Sequence, residues 1–452
     1  MDGVGLLQSI SFVMIVLFLS YVTSILVPFV RRRPDRRGDP DRFDWHFFIP
    51  CRDEAAVIGA TLERCRADFP HVNVWVVDDD SEDDTAAIVL AAAAEDPHVH
   101  LVQRRLPDAR TGKGDALNAA YRSLDELLPA DADRSSVVIN VVDADGEMDP
   151  RCLGYMAADT VFGDPAVGAA QASVTMKNRD DPDPRPGEPA YLGFLARWMI
   201  RMQDLEFRTT IAAMQALRSR THSVGLGGNG QFTRLSVLDE IAEQFDAPWH
   251  GALLEDYELG VHVLLAGYTN RYVHDTFVAQ EALPYVKRFV TQRTRWAQGN
   301  IQCVRYLPEL FRSPHLTNAA MLESSYYLVL PYAQLLGTLI WPIITAALIL
   351  HASESDTSLG VYFLGQVWLL PLLFVFSVLP FVVWGPLYRR REVPEASWIR
   401  GWIWGFGNWI YVYYMYFCVW RGFIRVLLGR SGWAKTRRNA EPVTFGPVAK
   451  EA

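Results

Sequence analysis

The sequence predicts an α/β domain, a sheet of mostly parallel strands covered by helices, set between membrane-spanning helices. Three observations predict it. Uncharged apolar blocks stand near the start and in the last third of the 452 residues. Between them, short β-rich runs alternate with polar helical stretches. Charge divides the same way: residues 1–42 carry six Lys and Arg against four Asp and Glu, residues 316–452 eleven against seven, and residues 43–315 carry 26 against 41. The net charge of -9 is therefore an acidic middle between basic flanks. Such a chain is a poor partner for nucleic acid, and its aromatic content argues against disorder. Four segments follow: an N-terminal transmembrane helix with its basic flank at 1–42, a cytosolic domain with interfacial helices at 43–315, a membrane region of two to three spans at 316–429, and a basic tail at 430–452.

The first apolar block, Ile10 to Val30, has no charged residue and ends at Arg31, Arg32 and Arg33. It has about the length a helix needs to cross ~30 Å of hydrocarbon. A cleaved signal peptide is the rival reading, but its basic residues would come before the apolar core. The arginine side, and with it the acidic domain, belongs in the cytoplasm by the positive-inside rule, which suits a multi-pass protein of the cell membrane. Ser324–Leu350, Leu359–Tyr388 and Gly401–Trp420 are further uncharged blocks. The short acidic link His351 to Ser358 fits an outside loop, and Arg389, Arg390 and Arg391 fit the inside. The block at 401–420 is rich in Trp, Tyr and Gly, so a crossing and a re-entrant or interfacial segment are both open. Five cysteines (Cys51, Cys65, Cys152, Cys303 and Cys418) without a Cys-x-x-Cys pair read as reduced thiols.

Within the soluble domain the expected strands are His46–Ile49, Val72–Val77, His98–Val102, Val137–Val142 and Val167–Ala172. Helical stretches are expected near 54–66, 83–95, 113–127 and 150–162. Ligands of such sheets bind beyond the carboxyl ends of the strands, and acidic clusters fall there: Asp78-Asp79-Asp80-Ser81 after the second run, Asp143-Ala144-Asp145 after the fourth. Helix capping accounts for Ser81 as readily as function does. Three adjacent carboxylates repel one another, so capping does not explain them all. Asp143 and Asp145 alternate, so on extended chain they would face one ligand, and paired oxygen donors suit Mg²⁺ or Mn²⁺ shared with a diphosphate. Thr111-Gly112-Lys113-Gly114 opens a helix with a glycine-flanked cation, suited to phosphate or base, but without the spacing of a P-loop.

Tyr191–Arg220 is helical in pattern, either a core helix or an amphipathic one at the membrane surface. Arg179–Pro189, with Pro182, Pro184, Pro186 and Pro189, reads as a loop and a candidate cover for the site before it. Leu254-Glu255-Asp256-Tyr257-Glu258 starts an apolar helical run. Its acids favour a first helical turn on general grounds, and one of them can equally serve as a general base. Gln292, Arg295 and Trp296 share one helix face. There Arg offers a fork for phosphate and Trp a flat face for a sugar ring, although a helix at headgroup level would carry the same residues.

In this order the clusters resemble the membrane-embedded family 2 glycosyltransferases, the group of cellulose, chitin, hyaluronan and poly-N-acetylglucosamine synthases. The likeness covers roughly residues 45–300 and runs more loosely to Trp433-Ala434-Lys435-Thr436-Arg437-Arg438. Pro50-Cys51-Arg52-Asp53-Glu54 is similar to the family's Pro-x-x-Asn-Glu with Asp for Asn, and Asp78-Asp79-Asp80-Ser81 to its Asp-Asp-Gly-Ser with Asp for Gly. Gly112-Lys113 through Asn118, Asp143-Ala144-Asp145, Glu255-Asp256 (with Leu254 for Thr) and Gln292-Arg293-Thr294-Arg295-Trp296 match the remaining motifs.

The resemblance implies a GT-A, Rossmann-like mixed sheet and an inverting, metal-dependent transfer from a nucleoside-diphosphate sugar. The family's usual donor is a UDP-sugar, with GDP-mannose the main exception. Glu54, Asp79, Lys113 and Asp143 would lie at the nucleotide sugar, and Asp143 with Asp145 would hold Mg²⁺ or Mn²⁺. Asp256 would be the base. Glu255, Gln292, Arg295 and Trp296 would form the rim where diphosphate and acceptor meet, and Gly228-Asn229-Gly230 resembles the loop that lets the acceptor approach. The implied partners are the donor, a glycan or lipid acceptor, the bilayer, and a second copy or export partner. Polymer extension with export is the leading expectation. Addition of one sugar to a lipid is the alternative, since ceramide glucosyltransferases share a similar motif set. A silent scaffold or transporter subunit is the reading from another class.

Overall fold

The computed structural model describes residues 3–353, 359–365 and 367–430. Its strands are β1 Asp44–Cys51, β2 Asn73–Asp79, β3 Val99–Arg104, β4 Val137–Val141, β5 Glu147–Met148, β6 Val167–Met176, β7 Gln231–Arg234 and β8 Thr269–Gln280. Among the described residues they form one sheet in the order β3-β2-β1-β4-β7-β6-β8-β5. The stretch β3-β2-β1-β4 is parallel, as expected from its strand–helix alternation. The rest is mixed, because β7 runs antiparallel to both β4 and β6 and β5 antiparallel to β8. Phe48 of β1 stands opposite Trp75 of β2 and Val141 of β4, which places it at the centre of the sheet.

The helices are α1 Gly3–Val30, α2 Ile58–Asp68, α3 Thr85–Glu95, α4 Lys113–Leu127, α5 Cys152–Met156 and α6 Ala190–Leu205. A π-helical stretch, Glu206–Ile211, carries α6 into α7 Ala212–Thr221. There follow α8 Leu235–Phe245, α9 Glu255–Leu265, α10 Val286–Cys303, α11 Leu307–Arg312 and α12 Asn318–Ser353. The last are α13 Leu359–Gly365, α14 Leu370–Leu373, α15 Leu379–Val382, α16 Trp384–Glu392, α17 Trp398–Tyr411 and α18 Tyr414–Leu427.

Strand periodicity builds the core. On β2, Val74 and Val76 pack with Ile58, Leu62 and Val89 on one face, while Trp75 and Val77 pack with Ala116, Leu117 and Leu124 of α4 on the other. Each such side chain contributes ~1.5–3 kcal/mol on burial. The helix expected at 150–162 stops at Met156. The Gly154 carbonyl accepts the Gly38 N–H at 2.8 Å, and Ala158 N–H turns instead to Tyr155. The N-terminal flank thus docks where the helix would continue. Arg32 anchors it further through Asp275 at 2.8 Å.

Among the described residues, three helical stretches are long and apolar enough to cross a membrane: Gly5–Val30, Asn318–Ala347 and Leu370–Glu392. The block at 401–420 is not one unbroken helix. It falls on two 14-residue helices, α17 and α18, each about 21 Å long. Both pack on neighbouring helices through glycines. A Cβ on Gly405 would run into the Val382 backbone, and one on Gly422 would lie 3.0 Å from Gln298 N of α10. The two arginine clusters end at one level, since the Arg391 guanidinium lies 4.0 Å from the Phe29 ring and donates to its carbonyl at 2.6 Å. The acidic link and the basic tail beyond Arg430, with the Trp433–Arg438 element, lie outside or mostly outside the described residues.

Candidate active site

The carboxyl ends of β1, β2 and β4 open onto a cavity of about 510 Å³. Glu54, Asp79, Lys113, Asp143, Asp145, Glu255, Asp256, Gln292, Arg295 and Trp296 all line it. The structure therefore gathers every site residue named from the sequence. It reaches further than the sequence indicated, to Leu330 and Gln334 of α12 and Met415 and Val419 of α18.

At the strand-end side, Asp79 closes β2. Its Oδ1 accepts from Arg104 at 2.5 Å and from the Arg110 amide at 3.1 Å, and burial raises its pKa above the ordinary carboxylate value. Glu54 is buried, with its N–H donating to Thr85 Oγ1 at 2.8 Å. Two of the three departures from the family pattern share one backbone property: Asp53 has φ +52° and Asp80 φ +60°. Asn and Gly are the residues that favour this left-handed region, and Asp is among the few side chains that tolerate it. The turn geometry survives both replacements.

Lys113 starts α4 and reaches across the cavity. Its Nζ donates to Asp143 Oδ1 and to the Gly228 carbonyl, both at 2.7 Å, and lies 3.8 Å from Glu255. Burial works against its charge, but Asp143 and Glu255 more than offset that and hold its pKa above the ordinary value. Asp143 and Asp145 do not alternate on extended chain as expected. β4 ends at Val141, and a turn closes with Gly146 N–H to the Asp143 carbonyl at 2.7 Å. Asp143 is left partly open and Asp145 buried, yet both face the cavity. Among the described residues no three His, Cys, Asp or Glu side chains are grouped to hold an ion. Two carboxylates on a cavity wall fit a hard divalent ion whose other positions come from diphosphate and water. They do not make a closed protein cage.

Asp256 sits in the first turn of α9, buried, with Oδ1 accepting the Tyr257 amide at 2.7 Å. Burial first, then the neighbouring Glu255 carboxylate, push its pKa up to about 7, against the opposing pull of Lys113. A Cβ on Gly228 would stand 3.1 Å from both Asp256 Oδ2 and Lys113 Nζ, so glycine here avoids crowding both groups. Gln171 fixes the glycine loop by accepting from Gly227 N–H at 2.7 Å and donating to the Asn229 carbonyl at 2.9 Å.

The sequence missed the buried helical side of the cavity. Arg293, an unassigned residue directly after Gln292, is among the buried residues of that helix. It pairs with Glu206 at 2.7 Å and covers the Trp296 ring at 4.3 Å. One face of Trp296, read as a platform for sugar, is therefore already occupied. Glu206 also accepts from Tyr411 at 2.9 Å and Tyr414 at 2.6 Å. The only sequence signal was Arg293 lying four residues after Phe289 and three before Trp296, a helical cluster of aromatics round a cation.

A family model described as "Glycosyltransferase like family 2" matches residues 43–299. An N-acetylglucosaminyltransferase of Rhizobium sp. (strain N33) is 28% identical over 282 residues, 58% of this chain and 55% of that protein. The chain thus spans about half the length of the curated relative it matches. A solved mannosyltransferase from Pyrobaculum calidifontis, in complex with GDP-Man and Mn²⁺, superposes with a TM-score of 0.57 at 16% identity, covering 94% of this chain and 98% of that one. The mixed sheet with its flanking helices is the GT-A fold.

Proposed function

Since the chain belongs to glycosyltransferase family 2, we propose that it transfers a sugar, with inversion, from a nucleoside-diphosphate sugar to a growing glycan at a membrane. The observation that carries this reading is the placement of a buried carboxylate with a pKa of about 7, Asp256, on the same cavity wall as Lys113 and the strand-end acids. A base needs a pKa near the working pH, and a single displacement needs it on the face opposite the leaving group. In this reading Asp256 takes the acceptor proton. Glu54, Asp79 and Lys113 hold the nucleotide sugar, and Gln292, Arg295 and Trp296 border the place where diphosphate and acceptor meet. Asp143 and Asp145 would hold Mg²⁺ or Mn²⁺, and such an ion supplies charge neutralisation for the departing diphosphate. The relative's name makes N-acetylglucosamine the first donor sugar to test.

The membrane frame belongs to the same proposal. With the three long apolar helices crossing, both arginine clusters and the catalytic domain share the cytoplasmic side. A single addition to a membrane-borne acceptor is the second reading. It is favoured by the cavity's extension to α12 and α18. The test is the purified protein in lipid, offered a panel of UDP- and GDP-sugars with Mg²⁺ or Mn²⁺ and read by product mass. A ladder of masses supports polymer extension and a single increment supports the second reading. Turnover that persists in excess chelator contradicts the metal dependence, and no transfer from any nucleotide sugar contradicts the function.

A further inference from the structure

Residues 246–254, which lead into α9, form neither helix nor strand, so their buried backbone groups need partners outside regular structure. Side chains from three helices supply them. Asn118 of α4 takes both polar groups of the Trp249 backbone: its Nδ2 donates to the carbonyl at 2.8 Å and its Oδ1 accepts from the N–H at 3.1 Å. Glu258 of α9 accepts from the Ala252 N–H at 3.0 Å, and Gln302 of α10 from the Leu253 N–H at 3.0 Å. Two glycines let the outer helices come close. A Cβ on Gly114 of α4 would stand 2.9 Å from the His250 carbonyl oxygen, and one on Gly299 of α10 would stand 2.7 Å from Leu254 N. The Trp249 side chain is buried in one cluster with Leu117 of α4 and Leu259 of α9. Gly114 directly follows Lys113, Gly299 lies three residues after Trp296, and the segment ends two residues before Asp256. One stretch of irregular chain thus joins the helices that carry the lysine, the buried acid and the rim.

We propose that Asn118 and Gln302 are positioning residues for Asp256: through the segment 249–254 they hold the acid in register with Lys113 and with the rim on α10. The proposal rests on the reading of Asp256 as the base. Neither residue lines the cavity, so neither acts on a ligand directly. Lys113 and Glu255 approach to 3.8 Å from different helices, and the spacing of the charges beside Asp256 therefore depends on how α4 and α9 are joined. Asn118 makes that joint with two bonds, one to each polar group of Trp249, which fix both place and orientation where one bond would leave a rotation. It is only 4% exposed, so water does not replace those bonds without opening the core. Gln302 holds the other end of the segment from α10. A contact that served the fold alone would change stability and leave the chemistry of the folded protein as it was. A positioning contact changes the chemistry, since a displacement of ~1 Å can cost ~10²-fold in rate while the donor still binds.

The test uses the full chain in lipid nanodiscs, offered the panel of UDP- and GDP-sugars with Mn²⁺. Release of UDP or GDP reports the reaction whichever hydroxyl, of water or of an acceptor in the lipid, receives the sugar. The sugar–phosphate bond breaks, a bond from the sugar to that oxygen forms, its proton passes to Asp256, and the nucleoside diphosphate leaves. Wild type, Asn118→Ala and Gln302→Ala are compared by kcat and donor KM for release, by equilibrium binding of UDP or GDP, and by hydrogen exchange of the amides of residues 249–256. The expected result in both variants is faster exchange in that segment and a kcat lowered about tenfold or more, with donor KM and nucleotide affinity within about twofold of wild type. The proposal is overturned by a wild-type kcat in either variant, by unchanged exchange in the segment, or by a loss of nucleotide affinity as large as the loss of kcat, which would make the two residues a support of the whole domain. Absence of release from every donor in wild type, or undiminished release in Asp256→Asn, instead overturns the reading on which the proposal rests.

Discussion

The two ends of the cavity solve opposite electrostatic problems. At the strand ends, carboxylates outnumber the cations that face them, and the pair Lys113–Asp143 sits on a wall still open to incoming charge. At the helical end, Arg218–Glu323 and Arg293–Glu206 are buried and closed. The first arrangement suits a ligand that brings its own charges, a diphosphate with a metal ion. The second makes a fixed frame. Their meeting point is Asp256, a buried acid with Lys113 on one side and Tyr257 on the other.

Breaking the boundary residue has the largest expected effect. Asp256→Asn should lower transfer by ~10²–10⁴-fold while UDP or GDP affinity is retained, as measured by single-turnover transfer beside equilibrium binding. Equal turnover would remove Asp256 from the mechanism. Next comes the closed end. Glu206→Gln leaves Arg293 buried without its counter-charge, which costs ~3–5 kcal/mol and should appear as a clear fall in melting temperature. An unchanged melting temperature would mean that this end is not the fixed frame described.

Lys113→Met tests the open end. It should weaken donor binding by roughly 10–100-fold, the loss of a charged hydrogen bond. Because Lys113 pulls the Asp256 pKa down, the same change should also move the activity midpoint to higher pH. Titration calorimetry and a pH–rate series check the two parts separately. The smallest effect is expected from Asp80→Gly. The residue has φ +60°, which glycine adopts freely, so stability should change by no more than ~1 kcal/mol and activity should persist. A large loss would assign Asp80 a role beyond turn geometry.

The same contrast explains what was legible in the sequence. Lys113 and Asp143 are 30 residues apart and Arg104 and Asp79 are 25 apart. They lie on consecutive strand–helix units, and Asp79, Lys113 and Asp143 stand in short motifs that pattern finds, whereas Arg104, a single cation at the end of β3, carries no such signal. Arg218 and Glu323 are 105 residues apart and Arg293 and Glu206 are 87 apart. Each is an isolated charge on a helix whose partner arrives only with the tertiary fold. For the same reason β7 and β8 escaped notice. Thr269–Gln280 mixes Asn, Arg, His and Asp among its apolar residues; Asn270 bonds to the Val224 and Gly260 carbonyls and Asp275 to Arg32 and the Asp35 amide. In the block at 401–420, twenty uncharged residues hide a break at Val412–Tyr413, which composition alone does not show.

The most direct test of the central claim, that the buried Asp256 joins the two ends as the base, is the pH dependence of kcat/KM for the acceptor from about pH 5 to pH 9. A base works deprotonated, so the rate should rise with pH and reach half its plateau near the pKa of about 7 to which burial and Glu255 raise this carboxyl. Asp256→Asn should flatten that limb. A wild-type profile that is already level from pH 5 upward, or an identical limb in Asp256→Asn, would contradict the account.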